Sequence, residues 1–292
     1  AAAFAQAHGI PHVHSSVAVL LAAPDVDVVY VAGPHHTHHE LTLAAIAAGK
    51  PVVVEKPLAL NATQAREIAA AASAAGVFVM EALWSVCLPK FDVVRQVLDA
   101  GVLGRIHTVT ADIGEYFDRD HRILRRDLAG GPVLDLGTYP VAFATWILGA
   151  PSEVRALAQP DPSGVLSQTA AILRYDEGDH AGALALVHAS LATATPTTGE
   201  ISGELGTLSL DPPFYQPGGV TLRLRDGRAA RYDEPRIAHE GLYFEAVEAA
   251  RCIGEGLIES PLRPVADSIA MLAVMDEVRR QTGDVFDMEA GG

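Results

Sequence analysis

A chain of 292 residues with 49% hydrophobic and 20% charged side chains has material for a packed core and is far too long for a disulfide-stapled mini-protein. Lys+Arg 21 against Asp+Glu 36 leaves a net charge of -15, which repels phosphate backbones and argues against nucleic acid as a partner. Two distant cysteines, Cys87 and Cys252, exclude a disulfide framework, and no apolar run reaches membrane-spanning length, so a cytoplasmic protein without membrane partners is expected.

Residues 1–9 read as the tail of a helix closed by Gly9, so the chain is expected to lack its true N-terminus. Residues 26–32 form a β-branched run ended by Gly33-Pro34, a predicted strand. Thr37 and Glu40 have the spacing of a capping box, predicting a helix through Leu41, Leu43 and Ile46 to Gly49. Residues 51–55 are a second predicted strand, Asn61 with Gln64 caps a second helix reaching Gly76, and residues 77–80 are a third strand.

Strand, helix, strand, helix, strand at this spacing predicts a parallel sheet with right-handed crossovers, buried on both faces. Ligands bind beyond the carboxyl ends of such strands. Three segments therefore share one rim: Gly33-Pro34-His35-His36, Glu55-Lys56-Pro57 and Glu81-Ala82-Leu83-Trp84. Glu55 and Lys56 read either as a solvated pair or as site residues, and Trp84 as core or as an aromatic wall for a ligand. Histidines 35, 36, 38 and 39 suggest a metal by number, but neighbours at a helix start face different ways and no carboxylate stands at ligand spacing; no metal site is expected.

From Arg105 the period changes to alternation. Residues 106–113, 183–191, 200–210 and 220–225 are predicted strands separated by Gly/Pro/Asp turns, and Val265, Ile269, Leu272, Met275 and Val278 mark the buried face of a last helix. Two domains are expected, 1–88 and 89–292. Small residues at Ala183, Ala185, Val187 and Ala189 suggest a flat sheet face that pairs with a second copy, a homodimer; His188 reads as a satisfied sheet residue. Residues 116–120 offer a lid, with Phe117 and Trp84 as apolar walls, or an exposed loop.

The run "VVYVAGPHHTHHELTLAAIAAGKPVVVEKP" (28–57), with "MEALW" (80–84) and "GGPVLDLGTYPV" (130–141), resembles the glucose–fructose oxidoreductase, inositol dehydrogenase and rhizopine-catabolism family of NAD(P)-dependent oxidoreductases. Within it the last two motifs are most similar to the branch holding dimeric dihydrodiol dehydrogenase and NADP-dependent xylose dehydrogenase, as is the stretch 243–283. The resemblance implies an incomplete N-terminal Rossmann-type parallel sheet and a C-terminal α+β domain with a large, mainly antiparallel open sheet. It implies hydride transfer between NADP or NAD, NADP first, and the CH–OH group of a sugar, polyol or trans-dihydrodiol. Lys56, Tyr139 and Asp135 match the family's active-site lysine, acid/base tyrosine and the aspartate before it. Gly33, Pro34, His35, His38, Glu55 and Lys56 fall at cofactor positions; Trp84 and Phe117 are the substrate candidates. The family's Gly-rich loop and its 2′-ribose reader have no match in this chain and are expected upstream of Ala1; without them cofactor binding is expected to be weak.

Two departures stand out: Gly33-Pro34-His35 replaces a common Thr-Pro-Asn, and Val86 stands where an arginine is usual, which weakens the case for an anionic substrate at that position. Chemically, an ammonium at Lys56 is expected to favour the Tyr139 phenolate. If both residues were helical, Asp135 would lie one turn before Tyr139 on the same face. The alternative reading is a non-catalytic ligand-binding or regulatory protein on the same scaffold; a zinc hydrolase ranks third.

Overall fold

The computed structural model describes residues 1–235 and 241–286. Helices α1 (Ala2–His8) and α2 (Val17–Leu21) lead into a three-stranded parallel sheet, β1 (Val29–Val31), β2 (Val52–Glu55) and β3 (Val79–Ala82), in the order β1-β2-β3. Helices α3 (His38–Ala47) and α4 (Ala62–Ala75) make the crossovers. Val52, Val53 and Val54 are almost fully buried, as a strand covered on both faces should be.

The local signals acted unequally. Asn61 caps α4 through Gln64 N–H (2.9 Å), and the Gln64 side chain accepts from Leu60 N–H (3.1 Å), so the reciprocal cap is present. Thr37 does not cap α3; its hydroxyl donates to Pro34 O (2.8 Å) and closes a 3-10 turn over His35–Thr37 instead. Gly33 permits this, because a Cβ there would lie 2.4 Å from Thr37 Oγ1. β3 starts two residues later than its apolar run, since Val77 N–H is taken by Ala72 O in the turn that closes α4. Glu81 consequently falls inside the strand and is buried, not on the rim; its carboxylate accepts from Leu58 N–H (2.8 Å) and pairs with Arg263 (2.7 Å).

After a 3-10 turn over Trp84–Cys87 and helix α5 (Pro89–Asp99) comes the second sheet. Its strands are β4 (Ile106–Gly114), β5 (Glu153–Pro160), β6 (Leu166–Arg174), β7 (Leu184–Ser190), β8 (Gly199–Gly203), β9 (Gly206–Leu210), β10 (Val220–Leu224) and β11 (Ala229–Tyr232), in the order β11-β10-β9-β8-β4-β7-β6-β5. Only β4 and β7 pair in parallel. Helix α6 (Thr138–Leu148) packs on β4 and β7, while α7 (Tyr243–Gly254) lies against the Trp84 turn and α8 (Val265–Thr282) against β5, α4 and α6.

The alternation on β7 is real, but its sense corrects the expectation. Ala183, Ala185 and Ala189 are buried toward the helices, and the outward face carries Leu184 and Leu186 with Ile172 and Leu157, the last 81% exposed. Large apolar side chains, not small ones, form the open face. No helix among the described residues is long and apolar enough to cross a membrane.

Candidate active site

Strand β2 delivers Glu55 and Lys56 to its carboxyl end, and the turn before α6 brings Asp135 onto Lys56. Lys56 Nζ donates to Asp135 Oδ1 (2.9 Å) and to the Asp135 backbone oxygen (2.8 Å). Tyr139, in the first turn of α6, presents its ring to the same ammonium, 5.1 Å from the centroid. Lys56, Asp135 and Tyr139, 83 positions apart at the extremes, therefore form one cluster. Asp135 reaches it from the turn preceding α6, since the helix starts at Thr138; the expected shared helix face does not exist, and the two residues are joined through Lys56 instead.

Trp84 sits in the turn after β3 and donates its indole N–H to the Tyr139 hydroxyl oxygen (3.0 Å). It is buried, so it is more than a wall. Two groups that the sequence did not single out complete the surroundings. Arg122 donates to Asp135 Oδ2 (2.9 Å) with its own side chain half exposed. Tyr215, in the loop between β9 and β10, stacks on Tyr139 (centroids 4.2 Å apart, 23° between planes) and donates to Glu115 (3.0 Å). An arginine in a charged run and a tyrosine in a Pro-rich turn carry no periodic signal; only the aromatic pair Phe214-Tyr215 among turn residues hinted at a packing role.

Gly130 explains how the Arg122 segment comes so near. A Cβ there would lie 2.5 Å from Ile123 O and 2.8 Å from Arg125 O, so only glycine lets residues 122–125 close on the turn that carries Asp135. The close approach is of backbone to backbone.

The β1 end is built from Gly33 to His38. His35 is buried, with Nδ1 3.3 Å from Ala129 O. His38 is fully buried with its ring nitrogens 2.8 Å from Pro57 O and 2.9 Å from Gly33 O, so it ties the ends of β1 and β2 together. Pro34 is exposed. Glu55 is partly exposed and accepts from the Tyr30 hydroxyl (2.8 Å), which also lies 2.9 Å from Glu245 on α7. Phe117 is half buried and packs on the ring of His121 (4.8 Å).

The charge states follow from burial and partners. Burial alone would raise the Asp135 pKa, but Lys56, His35 and Arg122 outweigh it and hold the carboxyl well below its usual range. Burial opposes the Lys56 ammonium, yet Asp135 more than compensates and its pKa rises. The Tyr139 phenol is pushed up by burial; Lys56 and the Trp84 N–H pull it down but do not prevail, which corrects the expectation of a net fall. Burial lowers His35 to about 4, so it is neutral beside the cluster. The resting site is thus ammonium, carboxylate and neutral phenol. Burial, opposed by the Tyr30 hydrogen bond and assisted by Glu55, raises Glu245 to about 7.

The residues fit a nicotinamide nucleotide by the chemistry of their donor set. A partly exposed carboxylate at the β2 end suits ribose hydroxyls, and the lysine and phenol beside it suit the oxygen of an alcohol undergoing oxidation. Two concavities of about 680 and 770 Å³ lie elsewhere, between β5 and α8 and over the open sheet face.

Comparison with known proteins shows which family the whole chain resembles. The model described as an oxidoreductase family with NAD-binding Rossmann fold matches residues 1–83, and that of the GFO/IDH/MocA C-terminal domain matches residues 91–209. The trans-1,2-dihydrobenzene-1,2-diol dehydrogenase of Oryctolagus cuniculus is 32% identical over 293 residues, covering 98% of this chain and 88% of that protein. Its counterpart in Mus musculus is 32% identical, covering 98% of this chain and 86% of its own. Among solved structures, a 3-ketoreductase from Actinomadura kijaniata in complex with NADP and TDP-benzene superposes with a TM-score of 0.83 at 28% identity, covering 97% of this chain and 86% of that one.

Proposed function

Because the chain belongs to the GFO/IDH/MocA family of oxidoreductases with an NAD-binding Rossmann domain, we propose that it oxidises the CH–OH group of a trans-dihydrodiol, sugar or polyol with NADP, or less well with NAD. The bound nicotinamide would supply the hydride acceptor. The observation that carries the reading is the cluster at the β2 end: a lysine clamped by Asp135 and facing a buried phenol.

The chain's own residues then divide the work. Asp135 engages two of the three ammonium protons of Lys56 and leaves the third for a substrate oxygen. Tyr139 takes the hydroxyl proton in oxidation and returns it in reduction. Its raised pKa keeps the phenol protonated in the resting site, as the donor role requires; the positive charge of an oxidised nicotinamide would shift it toward the base. Glu55 is assigned to the nicotinamide ribose, Gly33, Pro34 and His35 to the cofactor's flank, and His38 to holding the strand ends that form it. Trp84 and Phe117 are assigned to the substrate side.

Two further assignments accompany this reading. The open sheet face with Leu157, Ile172, Leu184 and Leu186 seats a second copy, giving a homodimer. Cys87 and Cys252 are unpaired, which suits the reducing cytoplasm. Fluorescence titration of the protein expressed from its complete reading frame with NADPH and NADH, followed by turnover of a trans-dihydrodiol and an aldose panel, tests the proposal. Binding of NADPH with reduction of NADP by one of these alcohols is expected; failure to bind either nucleotide overturns it.

A further inference from the structure

The Tyr139 oxygen is held by a partner that can only donate. An indole N–H has no acceptor capacity, whereas a phenol oxygen both donates and accepts. At 3.0 Å, the Trp84 N–H must therefore occupy a lone pair of that oxygen, and the phenol's own hydrogen is left over. The nearby carboxylates are engaged elsewhere. Asp135 holds Lys56 and Arg122, Glu55 accepts from Tyr30 and from the Lys56 backbone N–H, and Glu115 accepts from Tyr215. Trp84 and Tyr139 are 5% and 9% exposed, so the contact is sheltered from bulk water.

We propose that Trp84 is a positioning residue for proton transfer: its indole N–H fixes the Tyr139 oxygen so that the phenol hydrogen is directed at the substrate, and it strengthens as that oxygen becomes phenolate. The inference rests on Tyr139 as the proton-handling group and adds a role that a hydrophobic wall lacks. A hydrogen bond to a charged oxygen is stronger than one to a neutral oxygen, so this donor favours the phenolate over the phenol. The other groups around Tyr139 cannot replace it. Lys56 meets the ring from the β2 end and is drawn toward Asp135, and Tyr215 meets it as a stacked ring.

Replacement of position 84 by β-(3-benzothienyl)alanine, which keeps the bicyclic shape and puts sulfur in place of N–H, tests this without opening a cavity; Trp84→Phe is the second arm. In the oxidation direction, kcat is expected to fall about tenfold and the acidic limb of its pH profile to move up by about one unit, with KM changed less than about twofold, the loss of one charge-assisted bond. On a Tyr139→Phe background the same change at 84 should cost nothing further in residual kcat. A raised KM with an unmoved pH profile, or an equal kcat loss with and without Tyr139, overturns the proposal. Should Tyr139→Phe alone keep full turnover, the acid/base reading of Tyr139 fails instead, and this separates the two.

Discussion

Lys56 Nζ lies 2.9 Å from Asp135 Oδ1 and 2.8 Å from the same residue's backbone oxygen, so one aspartate fixes the ammonium through both its side chain and its main chain. The side-chain contact carries the charge; the main-chain contact fixes direction and survives any substitution at 135. Asp135→Asn therefore should keep the lysine near its place while removing the carboxylate that holds its pKa up. A kcat loss of about tenfold to a hundredfold is expected, together with a fall in activity at alkaline pH where Lys56 now loses its proton, as expected when a charged partner is lost. A pH–rate profile with an unshifted alkaline limb would contradict it.

Tyr139→Phe retains the ring that stacks on Tyr215 and loses only the hydroxyl. Turnover should drop at least about a hundredfold, the usual scale for a positioned acid or base, with NADPH affinity within about twofold. Steady-state kinetics beside fluorescence titration separate the two quantities.

Glu245 gives stability a pH dependence of definite sign. Its folded pKa, about 7, lies above its ordinary 4.5. Its contribution is thus fully present below pH 4.5 and is lost as pH rises through about 7, because the folded state must ionise a buried carboxyl beside Glu55. The loss is on the order of 3 kcal/mol. Thermal melts between pH 4.5 and 8 should show this decline superposed on other groups, and Glu245→Gln should flatten it and raise Tm at pH 8.

Leu157 is 81% exposed on β5 amid Ile172, Leu184 and Leu186. Leu157→Arg should leave the monomer's Tm within a few degrees yet shift sedimentation from dimer to monomer, since an unpaired cation cannot be buried in an apolar interface without a large desolvation penalty. A wild-type chain that sediments as a monomer at micromolar concentration would refute the dimer outright.

The parallel sheet was legible because β2 is a run of valines between punctuating residues, and the rim could be named from strand ends alone. The Lys56–Tyr139 meeting came from family motifs; no periodicity relates residues 83 apart. Errors arose where a local signal had a closer competitor. Thr37 found Pro34 O before it found the helix N–H groups, and Val77 was drawn into the turn after α4, which moved Glu81 into the interior. Alternation on β7 fixed the period but could not say which face looks inward; small residues went to the helix side because helices need room there. Arg122 and Tyr215 were invisible because side chains from loops meet the site by tertiary folding only.

That inward row of alanines also sets how high α6 rides above the sheet. Pro140 and Val141, the two residues after Tyr139, share a small cavity with Ala171 and Ala189. The methyl groups act as shims under the helix. Side chains there that overfill that small space would disturb the seat of the helix, and with it the phenol relative to the lysine, which is anchored on the other sheet. Reactivity in such a scaffold can therefore drift through substitutions that no ligand ever touches, and a search for specificity changes confined to cleft residues would overlook them.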